Sequence, residues 1–135
     1  MASYLHFWVG HFSSGDLFGD YLEENEEADA ESIPLNKFCR DQKEMWIDHD
    51  HLEMSMEEES DDITKILYDG SYVGSFKNAV YEAARGRKLP GKMNVYVTVY
   101  DVASVEKPRS VKGKGYWLTY LGKFRFERPA SSKTG

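Results

Sequence analysis

Apolar positions along the chain recur in a few regular patterns, and these predict its elements. Over residues 4–11, Leu5, Phe7 and Val9 alternate with Tyr4, His6 and Trp8, a period of two that specifies a strand. Bulky side chains on both sides place it inside a sheet. Ser13 or Ser14 then caps a helix, Asp16 suits its first turn, and Leu17, Phe18, Tyr21 and Leu22 share one helical stripe. Across 23–31 like charges accumulate without an apolar stripe, and Ile33-Pro34 stops regular structure.

Residues 38–53 form the most distinctive stretch. Met45 and Ile47 on one side, and Leu52, Met54 and Met56 on the other, flank Asp48, His49, Asp50 and His51, which reads as two short strands joined by a polar turn. The second strand alternates Leu52, Met54 and Met56 with Glu53, Ser55 and Glu57, so one of its faces is wet. Ser60, Asp61 and Asp62 open a short helix with Ile63, Ile66 and Leu67 inward, ending by Asp69-Gly70. A longer helix is predicted over 72–85, where Phe76, Ala79, Val80, Ala83 and Ala84 have the spacing of a packed stripe and Gly86 follows as a cap.

Strict alternation of Met93, Val95, Val97 and Val99 with Tyr96, Thr98 and Tyr100 predicts a strand over 93–101. A last strand over 116–127 is expected to turn Tyr116, Leu118, Tyr120, Phe124 and Phe126 to one side. Between them, 107–115 reads as a mobile basic loop, and 129–135 as a disordered polar tail. The predicted order is βαββααββ. This is an α+β fold: one domain over 1–128, a mostly antiparallel sheet of about five strands, and about three helices packed largely on one face. No Gly-x-Gly-x-x-Gly follows a strand, so a dinucleotide site is not indicated.

Composition narrows the class. With 41% hydrophobic and 30% charged residues among 135, the chain has the make-up of a soluble globular domain. A single cysteine excludes an intramolecular disulfide and a multi-cysteine zinc site, and suits a reducing compartment. The first residues lack a basic region and a long apolar run, and no stretch is long enough to span a bilayer, so the expected location is cytoplasmic, with no membrane partner. The net charge of −6 conceals an asymmetry: residues 1–62 hold 18 acidic against 3 basic residues, residues 63–135 hold 5 against 14. The acidic half argues against a nucleic-acid binder built on a basic field and is compatible with a basic protein partner.

The candidate chemistry centres on residues 48–51. Two imidazoles and two carboxylates are ligand types for zinc, manganese or iron, but alternation in a strand lets only Asp48 with Asp50, or His49 with His51, converge. Further ligands would have to come from Glu53, His6 or His11. A small metal-dependent hydrolase is therefore the alternative to a partner-contact turn. Cys39 near a histidine meets the minimum for a nucleophilic dyad, yet no nucleophile motif surrounds it, and a structural thiol is the simpler reading. Trp8 and Trp117 read as core or sheet-face residues; Trp46, beside the acidic turn, suits an interface anchor. The acidic runs 23–31 and 57–62 are either solvated faces or an electrostatic docking surface. The basic loop lacks the aromatic interleaving of a base-stacking surface.

Several motifs are similar to those of the immunity protein 22 family. These are His-Phe-Trp-Val-Gly-His-Phe-Ser-Ser at 6–14, Phe-Cys-Arg-Asp-Gln at 38–42, Trp-Ile-Asp-His-Asp-His-Leu-Glu at 46–53, and Ser-Tyr-Val-Gly-Ser-Phe at 71–76. The resemblance spans most of 4–126, and its matching positions are Trp8, Gly10, Phe12, Asp48, His49, Asp50, Ser75 and Phe76. It implies a cytoplasmic antitoxin of a bacterial polymorphic-toxin or contact-dependent competition system that neutralises its cognate toxin by binding. The acidic half and the lack of a convincing catalytic constellation favour a stoichiometric inhibitor seated on the toxin's catalytic domain, such as a nuclease, with neither cofactor nor catalysis. The expected contact residues are Trp46, Asp48, His49, Asp50 and Glu53. A regulatory interaction module unconnected with toxins is a further alternative.

Overall fold

The bulky, two-faced segment near the start of the chain becomes the centre of the sheet. In the computed structural model, which describes residues 3–28, 32–67 and 73–127, β1 (Ser3–Phe12) lies between β3 (Met93–Val99) and β5 (Tyr116–Phe126). β2 (Leu52–Ser60) forms one edge and β4 (Val111–Gly113) the other, in the order β2-β3-β1-β5-β4 with every pairing antiparallel. The architecture is α+β, with four helices among the described residues: α1 (Gly15–Leu22), α2 (Lys37–Gln42), α3 (Ile63–Ile66) and α4 (Val73–Arg85). None is long and apolar enough to cross a membrane. The predicted stop at Asp69-Gly70, the helix start at Tyr72 and the tail 129–135 lie outside the described residues.

The helices divide between the two faces instead of gathering on one. Leu5, Phe7, Val9, Tyr96, Leu121 and Phe126 face Ile63, Ile66, Val73, Phe76 and Val80 of α3 and α4. Trp8, Phe12, Val95, Val97, Val99 and Leu118 face Phe18 and Tyr21 of α1 and Phe38 and Cys39 of α2. The reason is in β1: a strand apolar on both sides needs a cover on both sides. Ser14 caps α1 by accepting the Leu17 N–H at 3.1 Å, and Val73, Phe76 and Val80 carry the buried stripe of α4, while Ala79 is exposed.

Two glycines permit the central pairings. A Cβ on Gly10 would stand 2.0 Å from the Trp117 carbonyl oxygen, so only glycine allows β1 and β5 to approach there. Gly122, at φ 144°, sits at the bulge where Phe7 pairs with Gly122 and Trp8 with Tyr120. The extra residue reverses the alternation: Tyr116, Leu118 and Tyr120 pack on the α1/α2 face, Phe124 and Phe126 on the other. The single-sided stripe expected for this strand is therefore split.

Three further differences concern segments with short or weak patterns. Residues 37–42 form α2, capped by Asn36, whose Oδ1 accepts the Cys39 N–H at 2.8 Å. Met45 and Ile47 lie in irregular chain after it, so there is no first strand before the acidic turn. The basic segment is not a loose loop: Val111, Lys112 and Gly113 pair with Leu118, Trp117 and Tyr116. Trp8 Nε1 also donates to the Arg109 carbonyl at 2.9 Å, and the Gln42 side chain both donates to that carbonyl and accepts the Arg109 N–H.

Candidate functional site

The acidic turn is positioned by the end of α2. Lys43 adopts a left-handed conformation at φ 60° and its N–H closes the helix onto the Arg40 and Cys39 carbonyls. The Leu35 N–H then holds the Met45 carbonyl at 2.9 Å. Ile47 is buried, at 1% exposure, and so anchors the segment from beneath, while its neighbour Trp46 is 59% exposed. Among the described residues, Trp46 and Tyr4 are the large hydrophobic side chains that stand exposed, Trp46 the more so.

Beyond Ile47, the Asp48 carboxylate accepts the Asp50 N–H at 3.0 Å and caps a short 3-10 turn, His49–His51. In this turn the side chains do not alternate as in a strand. Asp48, His49 and Asp50, all exposed, bring ligand-type atoms within 4.8 Å of one another. His49 also lies 3.5 Å from Glu24 and 3.4 Å from Asp50. His51 turns instead towards Asp101, at 3.9 Å, and its carbonyl accepts the Tyr100 N–H. Glu53 sits on the other face of β2, accepting from the Tyr100 hydroxyl at 3.3 Å. The remaining histidines serve elsewhere: His6 meets the Tyr120 hydroxyl at 2.8 Å and the Val102 carbonyl at 3.1 Å, and His11 meets Glu59 at 3.0 Å.

Two grooves adjoin this turn. One, of about 560 Å³, is lined by Glu23, Glu24, Glu26 and Glu27 together with Asp20 and Asn36. The cations at its wall are engaged, Lys37 with Asp20 and Arg40 with Asp41. The other, of about 380 Å³, is lined by Leu22, Leu52, Met54 and His49 and shares Glu24 and Asn36 with the first. Acidic and apolar surface thus run together from α1 to β2.

One carboxylate that sequence reasoning passed over, that of Asp41, is engaged through both oxygens. Asp41 Oδ2 accepts the Tyr21 hydroxyl at 2.8 Å and the Tyr116 hydroxyl at 2.5 Å, and its Oδ1 takes Arg40 at 3.0 Å. Burial, and then the neighbouring Asp41 charge, push Tyr21 far above the ordinary phenol range; burial and the bond to Asp41 raise Tyr116 to about 12. This cluster ties α1, α2 and β5 together. The buried Cys39 thiol is pushed up to about 11 by burial, so it stays protonated near neutral pH and packs as a small apolar group.

The positions shared with the family motifs separate into two groups. Trp8, Phe12 and Phe76 are buried, Gly10 permits a close strand approach, and the Ser75 hydroxyl accepts the Glu127 N–H at 3.0 Å. Asp48, His49 and Asp50 are exposed. The sequence model of the family described as immunity protein 22 matches residues 5–127. No curated protein and no solved structure matches the chain.

Proposed function

The chain belongs to the immunity protein 22 family, and on that premise we propose that it neutralises a cognate bacterial toxin by stoichiometric binding to the toxin's catalytic domain in the cytoplasm. The protein performs no chemistry on its target. The observation that carries this reading is Trp46: an indole 59% exposed, two residues from an exposed acidic turn and on the half of the chain with 18 acidic against 3 basic residues. Such a surface fits a basic partner, of which a nuclease cleft is the natural example. The acidic groove steers the encounter, and the indole supplies apolar area once water is excluded.

Asp48, His49 and Asp50 form the contact turn next to Trp46. Glu53, on the other face of β2, reaches the same partner only where it wraps around that edge. Co-expression with the protein encoded immediately upstream tests the reading. Rescue of growth and an equimolar complex on purification are expected; toxicity without rescue, or no complex, would overturn it. Within the complex, Trp46→Ala should weaken affinity by about 30-fold or more, as truncation of a buried interface tryptophan does.

A further inference from the structure

The outer side of β2 carries backbone hydrogen-bonding groups that no strand uses among the described residues. The Tyr100 N–H donates to the His51 carbonyl, and the register continues as Glu53↔Thr98 and Ser55↔Tyr96. Hydrogen-bonded and non-hydrogen-bonded positions alternate along an antiparallel pair. His51, Glu53 and Ser55 therefore aim their backbone groups at β3, and Leu52, Met54 and Met56 aim theirs outward. The Leu52 N–H is satisfied by the His49 carbonyl. For Met54 and Met56, no strand lies beyond β2 among the described residues.

The two sheet edges are treated differently. β4 has three residues, the short edge usual in a monomer, whereas β2 has nine. Its protective irregularity comes late: the register breaks only between Met56 and Ser60, where Glu57, Glu58 and Glu59 stand opposite Asn94 alone. Residues 52–56 keep regular pairing up to that point. On one face of this regular segment, Leu52 and Met54 line the groove with Leu22, and Glu24 stands at its rim.

We propose that an extended segment of the toxin adds to the sheet as a sixth strand along residues 52–56. This rests on the inhibitory reading above and specifies its docking mode. Met54 and Met56 supply the backbone ladder, alternate apolar side chains of the segment enter the Leu22–Leu52–Met54 groove, and lysine or arginine residues between or beyond them meet Glu24 and the acidic groove. Charge selects this occupant. A second copy of the chain would bring its own carboxylates against the same ones, while a basic segment is attracted.

Amide hydrogen exchange of the full chain, alone and with the upstream-encoded toxin domain, tests the proposal. Exchange at Met54 and Met56 should slow at least tenfold in the complex. Met54→Pro removes an outward N–H without cutting the ladder to β3, and should weaken binding tenfold beyond Met54→Ala, which keeps that N–H. A complex in which both amides exchange as in the free protein would overturn strand addition and leave inhibition by binding intact. Absence of any complex would overturn both. Protection that grows with concentration of the chain alone would assign the edge to a second copy and also overturn the proposal. Should Met54→Pro fail to fold, the exchange measurement on the unaltered complex decides.

Discussion

Asp41 and the pair Asp48 and Asp50 lie within ten positions of one another and do opposite work. The Asp41 side chain is 14% exposed and satisfies two tyrosine hydroxyls and an arginine. Asp48 and Asp50 are exposed; one caps a three-residue turn and the other stands beside an unburied histidine. The same functional group is a structural lock where secondary structure surrounds it, and a solvent-facing charge where the chain turns outward. The proposed inhibition by binding uses both: a rigid support, so that little ordering entropy is lost on binding, and a surface charge that finds the partner.

The contrast is sharpest in stability. Asp41→Ala strands two partly buried phenols and should cost about 2–4 kcal/mol, read as a lowered midpoint of denaturant unfolding. Toxin affinity of the folded fraction should stay unchanged. A neutral effect on stability would break the distinction between the two acidic positions.

His6 extends the buried side of the comparison into pH dependence. Burial, outweighing its bond to the Val102 carbonyl, lowers its pKa below 6.5, so the folded state resists the proton that the unfolded chain accepts. Stability should therefore be fully present above about pH 6.5, fall as pH drops towards the folded pKa, and level off below it. In His6→Gln that part of the slope should vanish, as unfolding midpoints between pH 7.5 and 5.5 would reveal. Equal slopes in both proteins would remove His6 from this account.

Cys39 should react with a thiol reagent far more slowly in the native protein than in denaturant, because its thiol is both buried and raised to about 11. Rapid labelling of folded protein would contradict its structural role. The smallest effects on the fold belong to Asp48→Asn and Asp50→Asn. An amide oxygen can still accept the Asp50 N–H, so the first keeps the cap and loses only charge. Melting temperature should hardly move, while association with the toxin slows severalfold and becomes less sensitive to salt. An unchanged association rate would remove the acidic turn from the steering surface.

The sheet was legible where periodicity was strong. Residues 4–11 declare themselves as an inner strand and residues 93–101 as a strand, and the Phe76 and Val80 spacing declares α4. Segment 37–42 was harder: six residues give too little helical pattern to outweigh the alternation of Met45 and Ile47 beyond it. With α2 unrecognised, Asp41 had no neighbours from which its role could be inferred. The exposed Asp48-His49-Asp50 run was conspicuous by composition, but strand alternation described its geometry wrongly.

Local preference and polarity pattern determined the strands β1, β2, β3 and β5 and the helices α1, α3 and α4, that the chain is α+β, and that its first half carries the negative charge. These are properties of near neighbours in sequence, set by side-chain period and backbone sterics. Tertiary structure decided that both sheet faces are covered, that one bulge at Gly122 divides β5 between two cores, and that Tyr21 and Tyr116 converge on Asp41. It also left Trp46 outside and, among the described residues, no strand beyond the long edge of β2. Each of these depends on which distant segments meet, and therefore on packing free energy summed over the whole fold.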